Sequence, residues 1–138
     1  SKPAPEVLAL TANNSAIKVT GRVPSIAEYL HQATVAIAPL RTGFGMKIKT
    51  LEYMAAGCPV VGSDRGLEGI EVDSDRVPLR ALRANTVDEY IEAITNLFNN
   101  AELRAKLSQN GREMIEKEYT WLSLSQRYEK IIVKTMGK

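Results

Sequence analysis

The stretch Val35–Ser63, VAIAPLRTGFGMKIKTLEYMAAGCPVVGS, decides how the chain is read. Val35–Pro39 is apolar throughout, as suits a strand covered on both faces of a parallel sheet. Thr42–Gly45 reads as a loop, and Met46–Ala56 as a helix with Gly57 as its stop. Pro59–Ser63 then reads as a second short buried strand. A strand, a glycine loop, a helix and another strand, closely connected, are the unit of a doubly wound α/β sheet.

The flanking sequence extends that pattern. Pro5–Asn13 is expected to be a short helix, and Ile17–Gly21 a strand because it alternates apolar and polar residues. Ser25, with Glu28 three residues on, predicts a capping box for a helix over Ile26–Ala33. Val77–Leu82 is a weaker strand. Thr86 or Asp88 starts a helix through Phe98, and a charged helix follows over Ala101–Lys117. Thr120 caps a last helix, where Trp121, Leu124, Tyr128, Ile131 and Ile132 make one stripe. Sheets of this class generally begin with a strand. This chain begins with a helix and has few strands, so residues 1–138 are expected to be a single domain whose first βαβ portion lies upstream.

Composition excludes several classes. The 138 residues are 44% hydrophobic and 25% charged, a globular balance. No apolar run is long enough to span a bilayer, and the first ten residues lack a signal-peptide core. A cytoplasmic location is expected. The lone Cys58 cannot form an internal disulfide or a cysteine-based zinc site. A net charge of +2 argues against a general nucleic-acid binder. Charge is uneven locally, because Arg41, Lys47 and Lys49 fall within ten residues that hold no acid.

Ligands of open parallel sheets bind beyond the carboxyl ends of the strands. The Arg41–Gly45 loop is at such an end, and a helix N-terminus follows it with unpaired N–H groups and partial positive charge. Gly43 and Gly45 permit close backbone approach. With Lys47 they describe an anion site, most naturally for phosphate; a flexible loop beside a solvated helix is the plainer alternative. Helical spacing places Glu52 with Ile48, Leu51 and Ala55, on the face expected to pack on the sheet. A carboxylate there needs donors. These are either protein groups or the two hydroxyls of a ribose.

Residues Gly21–Ile70 resemble the C-terminal, nucleotide-sugar-binding domain of retaining glycosyltransferases of group 1 (family 4), which have the GT-B fold. The resemblance rests on Pro39, Leu40, Gly43, Gly45, Lys47, Lys49, Leu51 and Glu52, followed by Met54-Ala55-Ala56-Gly57-Cys58-Pro59-Val60-Val61. The tail from Asn100 to Trp121 also looks like the family's C-terminal helices. The fold implied is a Rossmann-like parallel sheet flanked by helices, as an N-terminally truncated GT-B C-terminal domain. The activity implied is transfer of a hexose-type sugar from a UDP- or GDP-sugar to an acceptor with retention. Gly43, Phe44, Gly45, Met46 and Lys47 would face the diphosphate and sugar. Glu52 would hold the ribose, Leu51 would line its pocket, and Gly21, Arg22 and Val23 would lie near the nucleobase.

Thr42 stands where the family often carries an acid, so that acid's contacts do not carry over. The diphosphate-clamping Arg and Lys of the family belong to an earlier segment. The acceptor, a glycan, lipid or small molecule, would be met by an N-terminal domain. Peripheral membrane contact of the full-length protein is compatible with this picture; nucleic acid is not a partner. No catalytic residue, metal or cofactor is assigned to residues 1–138, and the isolated chain is expected to be inactive.

The remaining chemistry-bearing residues have plain readings. His31 has no nucleophile or acid placed to partner it, and Cys58 precedes a strand where free thiols are usually buried and inert. Arg65, Glu68 and the glycines Gly66 and Gly69 border the donor pocket or merely make a turn. Two rival functions stand beside the transferase. A flavodoxin-like or receiver-like binding module would want an acidic cluster at the strand ends, which is not found after Pro39. A GT-B sugar-nucleotide epimerase would want catalytic acids and histidines that cannot be placed.

Overall fold

A computed structural model describes residues 5–20, 23–42 and 47–119. Its elements in chain order are α1 (Pro5–Asn13), α2 (Ile26–Gln32), β1 (Ala36–Ala38), α3 (Ile48–Ala55), β2 (Val60–Gly62), β3 (Leu82–Arg83), α4 (Val87–Asn99) and α5 (Ala101–Glu118). The strands form one parallel sheet in the order β1-β2-β3. Ala36 is opposite Val60, Ala38 opposite Gly62, and Val61 opposite Leu82. This is the α/β class the sequence predicts. The expected helix after Thr120, with its Trp121 stripe, lies outside the described residues.

β2 is the centre of the molecule. Val60 and Val61 are both wholly buried, and successive strand residues point to opposite faces. Val60 packs with Leu51 and Met54 of α3, Met114 of α5, and Leu67, Ile70 and Val72 from the segment after the strand. Val61 packs with Ala93 and Leu97 of α4 and Leu107 of α5. α3 and α4 thus draw on the two faces of one strand, and α5 contributes to both clusters.

Local chemistry sets the boundaries. α3 ends as its sequence predicts: Gly57 adopts φ +78°, its N–H donates to the Met54 carbonyl (3.0 Å), and the Cys58 N–H donates to the Tyr53 carbonyl (3.1 Å). Those two bonds are a Schellman motif, with Pro59 just beyond. Thr86 caps α4 by accepting the Glu89 N–H (3.1 Å), and Glu89 reaches back to the Asn85 N–H (2.8 Å). Asn100 caps α5 by accepting the Leu103 N–H (3.0 Å). Arg104 closes the α4–α5 turn by donating to the carbonyls of Leu97 (2.7 Å) and Phe98 (3.0 Å).

Three expectations are corrected. Residues 17–20 are not a strand; the Ile17 N–H turns back to the Asn14 carbonyl (3.1 Å), and no described strand pairs with this stretch. A few alternating residues hold as a strand only beside a sheet edge. Ser25 is the N-cap residue of α2 and extended, but its side chain makes no capping bond; nothing nearby explains this. The third strand is Leu82–Arg83 rather than Val77–Leu82, because Pro78 has no N–H to pair and the Arg80 N–H goes to the Val72 carbonyl (2.8 Å).

The segment between β2 and β3 is fastened in two ways. Gly66 lies so close to β1 that a Cβ there would sit 2.1 Å from the Ala38 carbonyl oxygen. Arg83 of β3 donates to both oxygens of Asp73 (2.9 and 3.0 Å) and to Asp64 (2.9 Å). Its hydrogen bonds are the largest cause holding both carboxyls below their ordinary range.

Two outcomes follow from those fastenings. Gly66→Ala should destabilise the domain by about 3 kcal/mol, since the atoms in the way are backbone; a melting temperature equal to the parent's would show that the turn can move aside. For the carboxylates, a depressed folded-state pKa favours the native state above the unfolded value near ~3.9, and this is lost as pH falls through the lower folded values. Both acids face solvent, so the effect is modest and salt-screened. Arg83→Gln should therefore flatten the acid-side loss of stability in denaturant melts; an unchanged slope would mean that the two acids do not report on Arg83.

Candidate functional site

The site is at the carboxyl ends of β1 and β2, where the chain leaves the sheet. β1 ends at Ala38, and Pro39–Thr42 lead into residues 43–46; α3 begins at Ile48 with Lys47 in the N-cap position. A cavity of about 420 Å³ is bounded by Ile37, Ala38, Pro39 and Leu40 on the strand side and by Lys47, Ile48, Lys49, Thr50 and Tyr53 on the helix side. Its wall is mainly aliphatic and aromatic, and Lys47 and Lys49 at the start of α3 are among its lining residues. That is the composition of a small-molecule pocket: an apolar lining with a few directed polar groups.

Lys47 is largely covered by protein, and its ammonium lies 3.9 Å from Glu68 Oε2. That distance is beyond a hydrogen bond. Glu68 Oε2 is buried and has no hydrogen-bond partner among the described residues, while Glu68 Oε1 is paired with Arg65 (3.3 Å). The lysine is thus held beside the helix end by a loose attraction that a stronger anion could outcompete. Arg65 and Glu68, read in the sequence as either a pocket border or a turn, form part of this electrostatic setting.

Glu52 is not where its spacing placed it. Thr50, Leu51 and Met54 are the buried residues of α3, whereas Glu52, Ile48 and Ala55 are exposed. The helix is rotated from the expected packing face because the Thr50 hydroxyl has a buried acceptor, the Gly66 carbonyl (2.7 Å). Glu52 is one turn beyond Ile48 and Lys49, both of which line the cavity. It is therefore an open carboxylate near the cavity, and it contributes, after burial, to raising the Tyr53 hydroxyl pKa. Leu51, expected to line a ribose pocket, is a core residue. Gly43, Phe44, Gly45 and Met46, with Gly21 and Arg22, lie outside the described residues; Val23 is half-buried ahead of α2.

A second cavity of about 500 Å³ shares the Pro39–Leu40 wall and is lined further by Arg41, Ser63, Asp64, Arg65, Asn85, Thr86, Val87 and Tyr90. Sequence reasoning missed Ser63, Thr50 and Asn85, whose partners are distant in sequence. Asn85 accepts the Asp64 N–H (2.9 Å) and donates to its carboxylate (3.2 Å), closing the ends of β2 and β3. Only the glycines of the Asp64–Gly69 stretch, Gly66 and Gly69, hinted at a turn there. Cys58 fits its plain reading: the thiol is buried, burial pushes its pKa up, and its contact is the Ala33 carbonyl at 3.8 Å.

With this geometry in view, the comparisons with known proteins are informative. The sequence model of the family described as "Glycosyl transferases group 1" matches residues 1–100. An uncharacterized glycosyltransferase of Methanocaldococcus jannaschii is 32% identical over 112 residues, which are 79% of this chain and 31% of the relative. This chain therefore spans about a third of that relative's length. Its fold matches the crystal structure of the C-terminal domain of a glycosyl transferase group 1 family protein from Francisella tularensis. The TM-score is 0.64 at 17% identity, over 86% of this chain and 66% of that one. The chain belongs to the group 1 glycosyl transferases, and its α/β architecture is that of a GT-B C-terminal domain.

Proposed function

We propose that residues 1–138 are the donor-binding part of a two-domain glycosyltransferase that moves a sugar from a UDP- or GDP-sugar to an acceptor with retention. The observation that carries this reading is the cavity of about 420 Å³ at the start of α3, where an apolar wall meets Lys47 and Lys49. The helix N-terminus and Lys47 attract the diphosphate, and Lys49 adds to the local field. These charges also favour the diphosphate as leaving group, because they are already oriented where negative charge accumulates. Glu52, exposed beside the cavity, accepts hydrogen bonds from the two ribose hydroxyls. Residues 21–23 and 43–46 keep the roles that the family resemblance implies, near the nucleobase and the diphosphate-sugar respectively.

The acceptor is met by a further domain, in keeping with a chain that spans only part of its archaeal relative. Among the described residues, no helix is long and apolar enough to cross a membrane. A cytoplasmic location goes with this reading.

Because Glu52 is exposed, Glu52→Gln should hardly alter the melting temperature. It should weaken binding of UDP or GDP about tenfold by removing charge-assisted bonds, and leave pyrophosphate binding as it was. Equal losses for both ligands, or a large fall in stability with affinity intact, would remove the ribose assignment. Affinity for the nucleoside diphosphate should also fall as salt rises, chiefly through screening of the exposed Lys49 and of the ligand's own charge. An affinity indifferent to salt in calorimetric titrations would place the phosphates elsewhere.

A further inference from the structure

Arg41, Lys47 and Lys49 are close in sequence but line different cavities. The two lysines line the one of about 420 Å³ at the start of α3, whereas Arg41 lines the one of about 500 Å³ beyond the Pro39–Leu40 wall. That second cavity is bounded by residues that directly follow β2 and β3 and by the start of α4. Ligands of open parallel sheets bind at such an edge, and the volume is that of a small-molecule site. Its polar groups are of both kinds. Asp64 Oδ1 is taken by Arg83 (2.9 Å) and by the Asn85 amide (3.2 Å), while Oδ2 accepts no hydrogen bond from a described residue. The carboxyl is held below its ordinary range, chiefly by the Arg83 bond, so it is ionised and can only accept. Asn85 gives one amide proton to Asp64 and keeps a second. The Arg41 side chain is exposed and makes no hydrogen bond or ion pair with a described residue. Apolar surface borders the same space, from the exposed Leu40 and Val87 and the half-buried Tyr90.

We propose that this cavity is a subsite for a sugar unit of the acceptor, with Asp64 accepting from its hydroxyls, Arg41 and Asn85 donating to them, and Leu40, Val87 and Tyr90 against its C–H face. A simple anion suits the cavity less well, because the ionised Asp64 opposes what Arg41 attracts. A hydroxyl can donate to a carboxylate and accept from a guanidinium or an amide. A ring that carries several hydroxyls and an apolar C–H face therefore matches the whole lining. The proposal rests on the transferase reading above and names the class of acceptor it implies: a carbohydrate, met by this chain as well as by the further domain. The position suits transfer, since the two cavities share the Pro39–Leu40 wall and reacting groups must be held side by side.

The test is an amide-resolved NMR titration of the 138-residue chain with glucose, galactose, mannose and N-acetylglucosamine, each to high millimolar concentration. At least one sugar should give saturable shifts centred on Asp64, Asn85 and Val87, with Lys49 unmoved. Arg41→Ala should weaken that sugar about tenfold, the equivalent of one charge-assisted hydrogen bond, and leave the melting temperature as it was. Asp64→Asn, measured well below its own melting transition, should weaken it by a similar factor. If Asp64→Asn does not fold, Arg41→Ala applies the same criterion, since Arg41 fastens no described residue. No saturable shift with any of the four sugars, saturable shifts centred elsewhere, or variants that bind as the parent does would overturn the proposal. Inorganic phosphate that moves the same amides while no sugar does would make the cavity an anion site, and overturn it too. A separate titration with UDP keeps the two readings apart. UDP binding at α3 without sugar binding defeats the acceptor subsite alone. Sugar binding without UDP binding defeats the donor reading and supports the carbohydrate site.

Discussion

The burial of Val60 and Val61 on opposite faces of β2 is the constraint from which the rest follows. A strand covered on both faces needs a layer on each side. α3 and α4 supply those layers, and α5 reaches both. A parallel neighbour must then be reached by a crossover, and α3 is that crossover from β1 to β2. Its N-terminus consequently opens at the carboxyl edge of the sheet. The cavity there is an outcome of topology, and its charge comes from the lysines that the sequence places at the helix start. The turn after β2 lies against β1 so tightly that only glycine fits at position 66.

Much of this was legible in the sequence where a local signal and a global pattern agree. The apolar runs at Val35–Pro39 and Pro59–Ser63 became paired strands, Gly57 ended its helix, and Thr86 capped α4. What was not legible depended on distant partners. Ile17–Gly21 has a strand's alternation, but pairing is a tertiary matter. Val77–Leu82 has the apolar content, but Pro78 moves the pairing forward. The face of α3 was misjudged for the same reason. Thr50 is among the most deeply buried residues because the Gly66 carbonyl waits for its hydroxyl, and that acceptor is invisible in a helical wheel. Rotating the helix to satisfy Thr50 turns Glu52 outward.

That rotation changes the meaning of the carboxylate. In the core, Glu52 would have required internal donors at high cost. At the surface it carries no such debt and is open to ligand hydroxyls. The cation at the start of the same helix is less free. Lys47 faces Glu68 across 3.9 Å, and that carboxylate oxygen has no hydrogen bond among the described residues. On the proposed reading, affinity at this site is a difference between two electrostatic attractions, that of Lys47 for Glu68 and that of Lys47 for the diphosphate.

The central claim is that a nucleoside diphosphate sits at the α3 end of the sheet. An amide-resolved NMR titration of the chain with UDP and GDP tests it most directly. Shifts concentrated on Leu40–Lys49 and Glu52, with the amides around Val87 and Ile91 on α4 unmoved, are the predicted result. Shifts centred instead on the cavity between Asp64, Asn85 and Thr86, or no shifts with either nucleotide, would contradict it.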